Sequence, residues 1–152
     1  MTTAYDVPPK ILIDEIAEIL KNEYEQVTPL DWIAAVKSGV HKENPPQVED
    51  WWYIRCASIL RKIYMLDIVG INKLRNIYGG RKRRGPKPNI FKKGSGNILR
   101  KALKQLESAG LVEIIEKKGR KLTPAGQSLL DRTALKIKMQ LQKNEIPSLA
   151  KY

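Results

Sequence analysis

The sequence predicts a mainly α-helical protein with one small β-hairpin, and three observations predict it. Apolar residues recur at helical spacing along most of the chain, and proline repeatedly falls where a first helical turn tolerates it. A short β-branched run, Leu111 to Ile115, is followed by the turn Lys117-Lys118-Gly119-Arg120. With 152 residues, 42% of them hydrophobic, the chain suits one domain, 1–152, with a real core.

Pro8 and Pro9 open a helix over about residues 8–25, with Leu12, Ile16, Ile19, Leu20 and Tyr24 as its apolar positions. Thr28 and Pro29 restart the pattern as cap and first-turn proline. Trp32, Ile33 and Val36 then share an apolar side until Gly39 stops a short second helix. His41 to Val48, holding Pro45 and Pro46, reads as an irregular link. Asp50 opens a third helix to about Leu66, which places Tyr53, Cys56, Ala57, Leu60, Ile63 and Tyr64 on a broad apolar side. Arg55, Ser58 and Lys62 share the other side with Trp51. An exposed Trp51 beside those donors suits an RNA contact; alternatively it packs against the link.

A short helix around Ile71 to Tyr78 ends at Gly79-Gly80. Residues 79–96 read as a basic loop containing glycine and proline, because Arg81-Lys82-Arg83-Arg84-Gly85-Pro86-Lys87-Pro88 has no apolar residue to bury. Such a segment is expected to be mobile in the free protein and to settle between phosphates. Ser95 or Asn97 caps the next helix, which runs to about Ala109. Leu99, Ala102, Leu103 and Leu106 face one way, Lys101, Lys104 and Ser108 the other, with Arg100 at the margin. Gly110 is its stop. The run from Leu111 pairs back through Lys121-Leu122, and Thr123-Pro124 starts a last helix striped by Leu130, Ala134, Ile137 and Leu141. Pro147 is its expected end, before a tail at 145–152. Helix, hairpin and helix over 97–140 follow the order of a winged-helix unit, so the expected architecture is a helical bundle around a winged-helix core with a small β-hairpin wing.

Charge is distributed unevenly. The 39 residues from Ile68 to Leu106 hold twelve Lys or Arg and no Asp or Glu, whereas residues 1–67 are net −4 and residues 107–152 net +4. The whole formal excess of +12 therefore lies in a quarter of the chain. A local field of this kind neutralises phosphates and releases their counterions. Solvation of a surface accounts for a scattered lysine, but not for so long a stretch without an acid.

Other chemistries find little support. His41 is the only histidine and has no candidate nucleophile near it in sequence, and no Gly-rich phosphate loop, metal-ligand spacing or Ser-His-Asp order occurs. No enzyme activity, cofactor or metal is expected. The single cysteine, Cys56, lies among apolar helix positions and reads as an inert core residue in a reducing, intracellular setting. No apolar run approaches a membrane span, and the N-terminus does not read as a signal peptide, so no membrane partner is expected.

Three runs carry a family resemblance: Glu49-Asp50-Trp51-Trp52-Tyr53-Ile54-Arg55-Cys56-Ala57-Ser58-Ile59-Leu60-Arg61, Ile77-Tyr78-Gly79-Gly80-Arg81-Lys82-Arg83, and Gly119-Arg120-Lys121-Leu122-Thr123-Pro124. Over essentially the whole chain the sequence resembles the archaeal and eukaryotic small-subunit ribosomal protein nineteen family, the type absent from bacteria, and looks like an archaeal member. The resemblance implies a structural, ribosome-associated cytoplasmic protein in the head of the small subunit, bound to ribosomal RNA and to neighbouring ribosomal proteins. It also implies a role in small-subunit RNA maturation and assembly, and a monomer when free. Carried over, the family's basic surface falls on Arg55 and Arg61, on Arg81 and Arg83, and on Arg100 and Lys101. The departures are the stretch Arg84 to Lys93 and the C-terminal extension.

Resemblance and charge together nominate Trp51, Arg55, Arg61, Lys62, Lys73, Arg75, Tyr78, Arg81, Lys82, Arg83, Arg84, Lys87, Lys92, Lys93, Arg100, Lys101, Lys104, Lys118, Arg120 and Lys121 as RNA-binding. The competing reading is a winged-helix transcription regulator that reads DNA with the helix over 97–109. That helix offers Lys and Arg rather than base-reading Asn or Gln, and phosphate contacts position without specifying sequence.

Overall fold

The computed structural model describes residues 1–144. It contains helices α1 (Pro9–Glu23), α2 (Trp51–Leu66), α3 (Ile71–Ile77), α4 (Gly96–Ser108) and α5 (Pro124–Lys143). The strands are β1 (Ile68–Val69), β2 (Gly80–Arg84), β3 (Lys87–Lys92), β4 (Val112–Ile115) and β5 (Gly119–Leu122). The expected stop at Pro147 and the tail at 145–152 lie outside the described residues.

α2 is the hub. Trp52, Cys56, Ala57, Ile59, Leu60 and Ile63 are buried along it, and it packs against α1, α4, α5 and β5. The polar tips of two of its aromatics find partners on other elements, as buried aromatic donors usually do. Trp52 Nε1 donates to Gln105 Oε1 on α4 at 2.8 Å, and the Tyr64 hydroxyl donates to Asp131 Oδ1 on α5 at 2.7 Å. Burial, together with the Asp131 carboxylate, pushes the Tyr64 hydroxyl up to about 12. Cys56 is fully buried, and burial raises its thiol well above the ordinary range, so it is inert as expected.

α1 begins at Pro9 and buries Leu12, Ile16, Ala17 and Leu20 against α2 and α5. The expected second helix does not form. Between Thr28 and Gly39 there is only a 3₁₀ turn, Ile33–Ala35, after which Val36 is extended. Distant partners hold this backbone open. The Thr28 carbonyl accepts from Gln105 Nε2 at 2.8 Å, Ser38 O accepts from Ser95 N at 3.1 Å, and Gly39 bridges Gly94. Those bonds replace the few a two-turn helix offers, and so short a helix is marginal alone.

The wing forms as expected, with an unexpected third strand. β4 and β5 pair antiparallel from Val112↔Leu122 to Ile115↔Gly119, and β1 adds to the far side of β5 through Ile68↔Lys121 and Val69↔Arg120. Sheet order is β1-β5-β4. Asp67 turns the chain from α2 into β1 with φ 69° and ψ −73°, the geometry of a γ-turn, which is rare and strained. Gly119, at φ 134°, allows the close pairing: a Cβ there would lie 2.6 Å from Val69 O. α2, β1, α3, α4, β4 and β5, interrupted between α3 and α4 by the separate β2–β3 pair, give a mainly α, winged-helix-like shape. α4 is capped by Ser95, whose Oγ accepts from Ile98 N at 3.4 Å, and Gly110 at φ 79° ends it as Leu111 N donates back to Leu106 O. Thr123 caps α5 by accepting from Gly126 N at 3.2 Å.

The basic segment is not a loop. β2 and β3 form a second antiparallel hairpin with partners Gly80↔Lys92, Arg81↔Phe91, Lys82↔Ile90 and Arg84↔Lys87, bulged between Lys82 and Arg84. Gly85, at φ 67°, leads a two-residue connection with Pro86, glycine standing first as such turns require. Arg84 Nε donates to Pro88 O at 2.8 Å across the turn. The hairpin leaves no apolar signature because most of its side chains are exposed. Backbone pairing and turn chemistry, rather than burial, specify it.

Candidate nucleic-acid interface

The twelve cations between Ile68 and Leu106 lie on α3, on the hairpin and its exit, and on α4. Lys73, Arg81, Arg83, Arg84, Lys87, Lys92, Lys93, Arg100, Lys101 and Lys104 are exposed; Arg75 and Lys82 are half-buried. Among the described residues only Arg83 of the twelve meets a carboxylate, Glu43 at 3.9 Å, with both side chains largely in water. An exposed pair of that length contributes little. Elsewhere cations do find acids: Lys21 pairs with Asp50 at 3.1 Å, Arg120 with Glu107 at 3.2 Å, Lys121 with Asp67 at 3.9 Å and Lys136 with Glu15 at 3.7 Å. The acid-free stretch thus remains an unneutralised field in three dimensions.

Two of its arginines converge at the start of α4. A Cβ at Gly96 would come 3.1 Å from Arg100 Nη1 and 3.2 Å from Arg75 Cδ, so two arginines pass over the helix N-terminus where glycine leaves room. Arg75 is held there by a two-way clasp, its Nε donating to Gly94 O at 3.0 Å while Gly94 N donates to Arg75 O at 2.9 Å. The positive end of the helix dipole adds to both charges. An adjoining cleft of about 410 Å³ is lined by Lys37, Lys93 and Ser95 as well as Arg75. Lys37 escapes sequence reasoning because it sits in the acidic part of the chain and only folding brings it here.

Several other nominated residues are wholly or partly engaged within the fold. Trp51 is not an exposed ring: it is 9% exposed and meets Trp52 edge to face at 5.8 Å. The cause is its place at the start of α2, which is covered on nearly every side. Arg55 is half-buried, its guanidinium 4.2 Å from the centroid of the Tyr78 ring, and the Tyr78 hydroxyl is 2.6 Å from Ser58 Oγ. Burial holds the Arg55 guanidinium below its ordinary value and raises the Tyr78 hydroxyl. Arg61 and Lys62 are half-buried on the same helix, and Arg61 Nε has no hydrogen-bond partner among the described residues. Arg120 is tied to Glu107, Lys121 is exposed beside Asp67, and Lys118 is exposed at the tip of the wing.

His41 is a further residue that sequence reasoning passed over. A Cβ at Gly39 would lie 2.8 Å from its ring and one at Gly80 would lie 3.0 Å away, so the imidazole fills the space between the 36–42 segment and the base of the hairpin. Its Nδ1 is buried without a hydrogen-bond partner among the described residues. Burial, then the nearby Lys42 and Arg55 charges, lower its pKa from the ordinary 6.5. Among the described residues no cluster of His, Cys, Asp and Glu is arranged to hold a metal ion, and no helix is long and apolar enough to cross a membrane.

A winged-helix-like body carrying a cationic surface that, among the described residues, only Glu43 meets with a carboxylate defines a protein suited to a polyanion. The family model for Ribosomal protein S19e matches residues 3–140. The chain is 48% identical to the small ribosomal subunit protein eS19 of Aeropyrum pernix, over 100% of this chain and 99% of that one. It is 46% identical to the protein of the same name from Haloarcula marismortui, over 99% and 100% of the two chains. It is also 40% identical to the small ribosomal subunit protein eS19B of Schizosaccharomyces pombe, over 85% and 90%. The chain belongs to the ribosomal protein S19e family.

Proposed function

We propose that this protein is a non-enzymatic, structural constituent of the small ribosomal subunit that holds ribosomal RNA through the cationic surface built from its acid-free stretch. One observation carries the RNA contact: of the twelve cations from Ile68 to Leu106, Arg83 alone has a carboxylate partner among the described residues. The relatives' names support the subunit, and their match over nearly full length supports an equivalent role. The residues assigned to RNA are Lys73, Arg75, Arg81, Lys82, Arg83, Arg84, Lys87, Lys92, Lys93, Arg100, Lys101 and Lys104, joined by Arg61, Lys62, Lys118, Arg120 and Lys121. Arg61 Nε is an orphan donor, and a phosphate oxygen is the kind of acceptor it lacks.

In the same reading the chain is one domain, a helical bundle around a winged-helix core, monomeric before assembly and cytoplasmic on the ribosome. Its place is the head of the subunit, beside neighbouring ribosomal proteins, and it supports maturation of the small-subunit RNA. The DNA-regulator reading is not favoured. The relatives carry ribosomal names, and the exposed face of α4 offers Arg100, Lys101 and Lys104 with Asn97 as its one amide.

Sedimentation of a lysate tests the proposal. The protein is expected to travel with small subunits and to stay with them through a high-salt wash, and depletion is expected to delay small-subunit RNA processing. A free pool, or one bound to chromosomal DNA, would remove the ribosomal assignment.

A further inference from the structure

The cationic hairpin carries one side chain that phosphate binding does not explain. Phe91, the only phenylalanine in the chain, is 57% exposed on β3, paired across the ladder with Arg81 and followed by Lys92 and Lys93. Its ring is supported rather than loose: a Cβ at Gly79 would come 2.9 Å from Phe91 Cζ, so the ring tip rests against bare backbone just past α3. Arg55 and Tyr78 form the cation–π contact seen among the described residues, so no guanidinium or ammonium of those residues covers the Phe91 ring.

We infer that Phe91 is a stacking platform for an unpaired nucleobase of RNA, with Arg81, its cross-strand partner on the same face of the hairpin, and Lys93, just past the strand, holding the phosphates on either side of it. The inference rests on the RNA-binding reading above and adds to it a contact that only single-stranded or looped RNA satisfies. A partner for this spot must present a flat apolar face and negative charge within one residue's length, and an unpaired nucleotide presents both. Aromatic rings on basic surfaces take bases in this way irrespective of sequence, whereas a paired duplex keeps its base faces stacked inside. An apolar anchor for a neighbouring protein is the competing occupant. It needs no π face and would have to leave the surrounding cations unpaired or bring carboxylates to them.

The test uses the whole protein and two labelled RNAs: a hairpin with an unpaired loop, and its stem alone as a blunt duplex. Binding is read by anisotropy for the parent chain and for Phe91→Ala, Phe91→Leu and Phe91→Trp. The alanine variant is expected to lose roughly tenfold in affinity for the looped RNA at an unchanged salt slope, with duplex binding unaltered. Leucine, which keeps apolar area but no π face, is expected to fall nearly as far. Tryptophan is expected to retain affinity and to add fluorescence that the looped RNA quenches. Leucine binding as well as the parent would overturn the stacking assignment in favour of an apolar anchor, and alanine binding as well as the parent would overturn any contact at Phe91. If the parent chain bound neither RNA, the RNA-binding reading itself would fall, and the stacking site with it.

Discussion

The Arg55 guanidinium lies 4.2 Å from the centroid of the Tyr78 ring, joining the middle of α2 to the end of α3. This contact makes Arg55 a structural cation. Arg55→Ala is expected to lower stability by about 2 kcal/mol, the scale of a desolvated cation–π pair, and Tyr78→Phe by about 1 kcal/mol through its lost bond to Ser58. Helical wheel reasoning alone predicts an exposed Arg55 whose removal leaves melting unchanged. Thermal denaturation decides between the two, and an unshifted midpoint for Arg55→Ala would remove the structural role.

Trp52 has the complementary role of filling the core. Its side chain is fully buried and its indole bridges to Gln105. Trp52→Ala is expected to destabilise by about 3 to 5 kcal/mol, while Trp52→Phe should recover part of the loss and leave the Gln105 amide short of a donor. Urea titration of both variants checks the order.

The base of the hairpin should weaken in mild acid. Folding depresses the pKa of His41 below 6.5 through burial and the Lys42 and Arg55 charges, so the unfolded chain binds its proton first as pH falls. The stabilisation from a neutral imidazole is therefore complete above pH 6.5 and is lost as pH drops through the lower folded value. Replacing His41 by Gln should flatten that dependence over the same window. An unchanged pH profile would mean that the ring is not held as the structure has it.

On α4, charge and fold are expected to separate cleanly. Replacing Arg100, Lys101 and Lys104 together should leave melting nearly unchanged and flatten the salt dependence of RNA binding by roughly 0.7 to 0.9 per lost phosphate contact. Gly96→Ala is a finer probe. It adds a methyl 3.1 Å from Arg100 Nη1 and 3.2 Å from Arg75 Cδ, which should part the two arginines and weaken RNA binding without loss of helix stability. A strong preference for one RNA sequence, abolished by a single α4 replacement at constant salt slope, would instead indicate base reading.

Amide exchange should grade the two hairpins. β4 and β5 are sealed to α2, α4 and α5, whereas β2 and β3 are paired chiefly with each other and carry mostly exposed side chains. Amides of Arg81 to Lys92 are expected to exchange by local opening well before those of α2, and to slow once RNA is bound. Protection in the free protein equal to that of α2 would show a hairpin anchored by something other than its own ladder.

Where a segment's structure follows from its own side chains, sequence and structure coincide. α1, α2, α4 and α5 carry their apolar stripes, α4 and α5 also their caps and α4 its stop, and the wing carries its turn, so local periodicity was enough to find them. The basic stretch was equally legible, since the absence of acids from Ile68 to Leu106 is a property of composition. What the tertiary structure decided were the places where the deciding partner is remote. Thr28 to Gly39 is held from helix by Gln105, Gly94 and Ser95; β1 exists because β5 lies beside it; and β2–β3 pairs without an apolar face to announce it. The same remoteness sorted the nominated cations. Arg55 met an aromatic ring, Arg120 met a carboxylate, and Arg100 met Arg75 across a glycine, because a side chain's charge is written in the sequence but its neighbours are set only when the core closes.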